Sequence, residues 1–198
     1  MEMFSALAAP IIGKSGNRAY GLPWSISIPD GKPHAFELQN GFVGQQTSIA
    51  FQLMRYGKMS GNDKAFQQGL EMAKFWYSDK QLVENGLPRS WWIQNEKIDG
   101  YNNKYIGDFW TYPSFTRCFT DGMEGLLDCL RFAEAYDLPE AEEWGKIMDK
   151  FGEFLLNAET AGDGSFYRAY QKDGRYLRDV NAIGPWPNEQ KKIQASSK

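Results

Sequence analysis

The sequence predicts an all-α fold of stacked helix pairs joined by short aromatic β-hairpins. Three observations carry that prediction. Two pairs of segments show apolar residues at helical steps of three and four. A stretch punctuated by Gly and Asp-Gly returns along the chain, with Asp-Gly pairs at Asp30, Asp99 and Asp173 standing 69 and 74 residues apart. Many of the aromatic residues fall in segments rich in Gly, Pro and Asn rather than in the helical segments.

Met1 to Ala9 reads as the tail of a helix, closed by Pro10 and a Gly13 to Gly16 turn. Gly21-Leu-Pro-Trp-Ser-Ile-Ser-Ile-Pro-Asp-Gly31 alternates and ends in Asp-Gly, which predicts a hairpin with a two-residue loop. Related stretches run from Gly86 to Gly100 and, more loosely, from Gly164 to Gly174. The first helix pair is expected over 42–58, with Val43, Thr47, Ala50, Phe51 and Met54 on one face, and 62–77, capped by Asn62 or Asp63. The second is expected over 121–136, marked by Met123, Leu126, Leu127, Leu130, Ala133 and Tyr136, and over 139–156, with Pro139 suited to a first turn. The first member of each pair is apolar over a wide arc and the second carries a charged face (Lys64, Gln67, Gln68, Glu71; Glu142, Glu143, Lys146, Lys150), so the pairs read as inner and outer helices. Such units bury their faces only by stacking. Residues 1–198 are therefore expected to form one segment, cut at both ends, with complete pairs at 42–77 and 121–157.

The net charge of -3 and a pI near 5.3 leave no electrostatic footprint for nucleic acid or an anionic membrane. No run of eighteen apolar residues is present, and Met1 to Gly13 lacks a basic n-region, so the chain reads as soluble with no address of its own; an upstream signal stays open. Cys118 and Cys129 form neither a disulfide framework nor a metal site; on one helix they would stand roughly 16 Å apart. The single histidine, His34, excludes His-rich zinc sites, and no metal or cofactor is expected.

Flat loop aromatics beside polar groups suit sugar rings or other planar ligands. Arg89 and Arg117 can each offer a planar fork to a carboxylate, or simply stack on a neighbouring Trp. Trp91 and Trp92 fall on opposite faces of a strand, so at most one faces a cavity. Asp121 is expected in the first turn of its helix, where the unpaired N–H groups favour a carboxylate, which also makes a helix cap of it.

Inner and outer helix pairs, with hairpins such as Gly86-Leu-Pro-Arg89 after an outer helix and an aromatic loop before Asp121-Gly122-Met123, resemble the six-hairpin (α/α) toroid glycosidases. These include the unsaturated glucuronyl and rhamnogalacturonyl hydrolases. The resemblance covers nearly the whole chain and is architectural. It implies a partial (α/α)6 toroid, a saccharide substrate held by the loops that lead into inner helices, and acid–base carboxylates. Carried onto this chain, Trp110, Tyr112, Phe115 and Arg117 would contact the sugar and Asp121 would be the acid. Asp108 is a candidate second carboxylate, whereas Asp99 reads as a turn residue. A polysaccharide lyase on the same ring, with Tyr112 or His34 as base, and a non-catalytic carbohydrate-binding or scaffold protein remain alternatives. The partners expected are a saccharide and the remainder of the toroid.

Overall fold

A computed structural model describes residues 1–12, 18–23, 25–27, 29–35, 37–41, 46–93, 109–111 and 114–177. Asp108, Tyr112 and the Asp99-Gly100 turn lie outside the described residues, as do the Gly13 to Gly16 turn and residues 42–45. In chain order the elements are α1 (Glu2–Leu7), β1 (Ala9–Ile12), β2 (Arg18–Gly21), β3 (Ser25–Ile26), β4 (Pro33–Ala35), β5 (Glu37–Gln39), α2 (Gln46–Ser60), α3 (Asp63–Tyr77), α4 (Lys80–Asn85), β6 (Trp91–Ile93), β7 (Phe109–Thr111), β8 (Ser114–Phe115), α5 (Thr116–Ala135), α6 (Ala141–Asn157) and β9 (Ala169–Tyr170). Helices dominate, and the strands are short and antiparallel: β1 with β2, β3 with β4, β5-β6-β7 as a three-stranded sheet, and β8 with β9.

The four long helices pack as two antiparallel pairs. Gly57 of α2 meets Phe66 of α3, while Ala50 and Met54 meet Gly69, so residue numbers run in opposite senses across that contact. Between α2 and α5 they run in the same sense. Thr47 lies against Gly125 and Cys129, Phe51 meets Phe132 edge-on at 6.3 Å, and Lys58 reaches over the Tyr136 ring. α2 and α5 are therefore neighbouring, parallel helices. α6 backs α5 through Phe119, which meets Phe151 at 6.1 Å and Phe154 at 6.0 Å. α6 also reaches α3, where Trp144 stacks on Tyr77 at 4.5 Å and Lys74 pairs with Glu140 at 2.9 Å.

The reasons are visible residue by residue. Asn62 caps α3 by accepting from Ala65 N at 3.0 Å. Glycines let the backbones touch: a Cβ on Gly69 would lie 2.5 Å from Ala50 O, and one on Gly57 2.5 Å from Phe66 N. Around those contacts the core is continuous, with Leu53, Met54, Met72, Ala73, Trp76, Met123, Leu126, Cys129 and Ala133 all closed to solvent. Cys118 and Cys129 are both free and buried.

Four expectations change. α5 begins at Thr116 rather than Asp121, so Asp121 is in the second turn and caps nothing; Phe115 precedes the helix without a side-chain cap. α3 is not a simple outer helix. Ten of its fifteen residues are buried, against three of seventeen in α6, because α1 and β2 pack on it; Lys64, Gln67 and Glu71 stay exposed as the charge pattern predicts, and Gln68 does not. Gln68, expected on that outer face, accepts from Ser5 Oγ at 2.5 Å and donates to Ser5 O at 2.8 Å and Ala8 O at 3.0 Å. A short helix, α4, was not foreseen; Asp79 caps it and Gly86, at φ 71°, ends it. Finally, at Asp30 and at Asp173 the Asp-Gly pair closes a loop longer than two residues. At Asp173-Gly174, Gln171 N donates to Arg175 O and Gly174 N to Gln171 O, a three-residue loop in which glycine takes φ 82°.

Two predictions follow from this packing. Gly69→Ala should cost about 1–3 kcal/mol, since backbone rather than a flexible side-chain end blocks the new methyl group. Gly152→Ala on α6, where a Cβ meets nothing within 4 Å, should instead stabilise by about 0.5–1 kcal/mol. Urea denaturation of both variants checks the pair, and equal losses would contradict it. The second concerns pH. Burial pushes up the pKa of Tyr77, whose hydroxyl donates to Leu126 O at 2.7 Å, and of Cys129. The unfolded chain then ionises these groups first, near their ordinary values of 9.0 for the thiol and 10.0 for the phenol. Their contribution is complete below pH 9 and is lost as pH rises from there, with a slope of about 1.4 kcal/mol per unit for each group ionised only in the unfolded state. Stability measured from pH 8 to 11 should fall with a shallower slope in Tyr77→Phe.

Candidate functional site

The site is built where the chain enters α2 and α5, which start at the same end of the molecule because the two helices are parallel. Asn40-Gly41 leads into α2 and presses on the second turn of α5. Gly41 takes φ 87°, and a Cβ there would collide with Cys118 O, Gly122 N and Asp121 Cβ. Gly122 answers it, since the space its side chain would fill holds the Asn40 carboxamide. Asp121 is half-buried beside this contact, and Arg117 is exposed one turn earlier on the same helix face. Phe115, also half-buried, sits just before the helix.

One segment fixes both lead-ins. Ser90 O accepts from Asn40 N at 2.8 Å, and Ser90 Oγ accepts from Phe115 N at 2.8 Å. Gln81 Nε2 donates to Leu87 O at 2.8 Å and Ser114 Oγ at 3.2 Å. Ahead of these, Asp79 is 1% exposed and accepts from Gln81 N at 3.1 Å, Arg89 N at 2.9 Å and Arg89 Nε at 2.9 Å, with Arg89 Nη2 at 2.9 Å completing an ion pair. Both guanidinium nitrogens converge on Asp79 Oδ1 while the Arg89 backbone N–H takes Oδ2, so the carboxylate is held by charge-assisted hydrogen bonds on both oxygens.

That geometry corrects two of the expected sugar contacts. The fork of Arg89 is turned onto Asp79 inside the same chain, so Arg89 holds the 79–90 segment closed and does not present its fork to a ligand carboxylate. Trp92 is 2% exposed and packs edge-on against Phe75 at 5.8 Å, which makes it core. Of the remaining expected residues, Asp121, Arg117 and Phe115 are brought together at the start of α5. Trp91 and Trp110 are seen only as backbone, in β6 and β7, with Trp110 opposite Trp92 and Trp91 opposite Thr111. His34 lies in β4. Asp121 is the only one of the two expected acids within the described residues, and these contain no group of three or more His, Cys, Asp or Glu able to hold a metal ion. No helix among them is long and apolar enough to cross a membrane.

Two features were missed in the sequence. Asn40 is fully buried, and neither end of its carboxamide has a hydrogen-bond partner among the described residues. Its only signal is the Asn-Gly pair ahead of α2. The second is a cavity of about 540 Å³ whose described lining is Glu159, Gln171, Arg175 and Tyr176. Its signal was the third Asp-Gly hairpin, read for its period and not for its side chains. Comparison with protein-family models, with curated proteins and with solved structures found no match to this chain.

The Asp79 clamp yields a direct prediction. Asp79→Ala leaves Arg89 without its carboxylate and α4 without its cap, and should cost about 3 kcal/mol in chemical denaturation. A change within a few tenths of that of a neighbouring surface substitution such as Lys80→Ala would show that the clamp is dispensable.

Proposed function

We propose that this chain belongs to a carbohydrate-active enzyme, a glycoside hydrolase of the (α/α) toroid type in which Asp121 transfers the proton. The observation that carries the reading is the position of Asp121: a partly accessible carboxylate at the start of an inner helix, one turn from Arg117 and beside Phe115. Being in the second turn, it stands clear of the unpaired N–H groups that would have made it a structural cap. Its Cβ packs beside Gly41, so close main-chain packing fixes where the side chain leaves the helix. The parallel α2 and α5, each with an antiparallel partner, are two units of a repeat that further units would extend into a ring.

In this reading a bound sugar lies across the start of α5, with Phe115 offering an apolar surface and Arg117 hydrogen bonds. Asp121 gives its proton to the glycosidic oxygen as the bond to the anomeric carbon breaks, and water supplies the hydroxyl that replaces the leaving group. Asp108, the other acid available in the stretch ahead of α5, is the residue we assign as second carboxylate, which takes the proton that this water gives up.

Asp121→Asn compared with the parent on aryl glycosides and unsaturated oligouronides tests the proposal. Turnover should fall about a thousandfold with the circular dichroism unchanged. Undiminished turnover of any substrate that the parent cleaves, or a parent inert on every member of the panel, overturns the hydrolase reading.

A further inference from the structure

After α6 the chain makes two tight turns of one design. In Ala161–Ser165 and again in Gln171–Arg175 the first residue's N–H donates to the last residue's carbonyl, at 2.8 and 2.7 Å. In each, a glycine at φ 82° ends the loop, and the aspartate before it accepts from the N–H two residues on: Asp163 from Ser165 at 2.9 Å and Asp173 from Arg175 at 3.2 Å. The turns stand ten residues apart, at Asp163 and Asp173. Tyr170, fully buried between them, locks the unit by donating to Glu159 O at 2.7 Å and accepting from Tyr167 N at 3.1 Å. Tyr167 and Tyr176 stack at 4.0 Å with 13° between their planes. The half-buried Tyr176 ring is thus held rigidly, and it lines the 540 Å³ cavity with Glu159, Gln171 and Arg175.

We propose that this cavity is a binding subsite for neutral sugar units, resting on the saccharide reading above. Its volume falls within the range of about 300–1,000 Å³ usual for small-molecule sites. Its lining supplies what a pyranose needs: a fixed aromatic ring for the C–H face, and for the hydroxyl groups a carboxylate acceptor, a guanidinium donor and a carboxamide that serves as either. Charge decides against an acidic sugar. Arg175 sets both Nε and Nη2 on Asp173 Oδ2, at 2.8 and 2.7 Å, and Glu159 adds a second carboxylate against that single guanidinium. A uronate would meet net repulsion, whereas hydroxyl groups meet none. The subsite also joins the carboxylate site through one strand pairing, since β9 lies beside β8, the strand that runs into α5.

The test is calorimetric titration of the whole chain with cellohexaose, xylohexaose and mannohexaose, and with hexagalacturonate as the acidic control. At least one neutral hexasaccharide should bind, about tenfold more weakly to Tyr176→Ala, with Tyr176→Phe restoring affinity. Gln171→Leu, which leaves the backbone hydrogen bonds of the turn in place, repeats the test should Tyr176→Ala fail to fold. Turnover by Asp121→Asn separates this subsite from the hydrolase reading: lost turnover with binding insensitive to Tyr176 and Gln171 sinks the subsite alone, and Tyr176-dependent binding with turnover untouched by Asp121→Asn sinks the hydrolase alone. Hexagalacturonate bound as tightly as the neutral sugars, or no neutral sugar bound, also overturns the proposal.

Discussion

The close approach of α2 to both α3 and α5 is the constraint on which the rest of this structure depends. Glycines permit it on both sides. Gly57 and Gly69 bring α2 and α3 to backbone contact, and Gly125 does the same for α2 and α5, where a Cβ would fall 2.5 Å from Thr47 Oγ1. A glycine inside a helix costs about 1 kcal/mol relative to alanine, so three of them in facing surfaces are offset only by the packing they allow. What they allow is a core in which Phe51, Phe66 and Phe132 meet across three helices. They also fix direction: with α2 and α5 parallel, both helices open at one end, where the short strands gather.

At that end the organising element is the 79–90 segment, made of α4 and the turn that leads to β6. It carries hydrogen bonds to the lead-in of each parallel helix, through Ser90 to Asn40 and Phe115 and through Gln81 to Ser114. Buried glutamines recur as fasteners. Gln46 exchanges two hydrogen bonds with the backbone of Leu22, at 3.0 and 3.2 Å, Gln68 holds α1, and Gln81 holds the turn before β6. Each amide satisfies main-chain groups that would otherwise be buried without partners, which is why a residue type usually found at the surface sits at 2–8% exposure here.

Much of the fold was legible because it is local. The long helices declared themselves through periodicity, and α3 through the Asn62 cap, starting within a residue of expectation. Contacts distant in sequence were not legible. Nothing in Gln68 distinguishes an outer-face glutamine from one lying under α1, and nothing in Arg89 reveals that its partner is Asp79, ten residues back and outside any helical spacing. α4, at six residues, is too short for a period to show. Of the candidate site, the cluster of Phe115, Arg117 and Asp121 was readable as adjacent sequence. The Asn40 carboxamide and the hairpin cavity were not, since each is created by surfaces that meet only in the fold.

The start of α5 shows why its first five residues escaped detection. A helix normally announces itself through a side chain that accepts from its own first turn, and Phe115 has none to offer. The orphan groups are instead satisfied from elsewhere. Thr116 N donates to Arg168 O at 3.0 Å, the Thr116 hydroxyl donates to Tyr167 O, and Phe115 N donates to Ser90 Oγ. The hairpin after α6 and the segment before β6 therefore cap a helix to which neither is adjacent in sequence. That arrangement ties the placement of Asp121 to two distant stretches of chain: loosening either would free the first turn of α5, and the carboxylate one turn further along would lose its fixed position. The accepting carbonyls, those of Tyr167 and Arg168, belong to the two residues just before β9, and the ring of Tyr167 stacks on Tyr176, so the tyrosine stack and the acidic site share a single rigid joint.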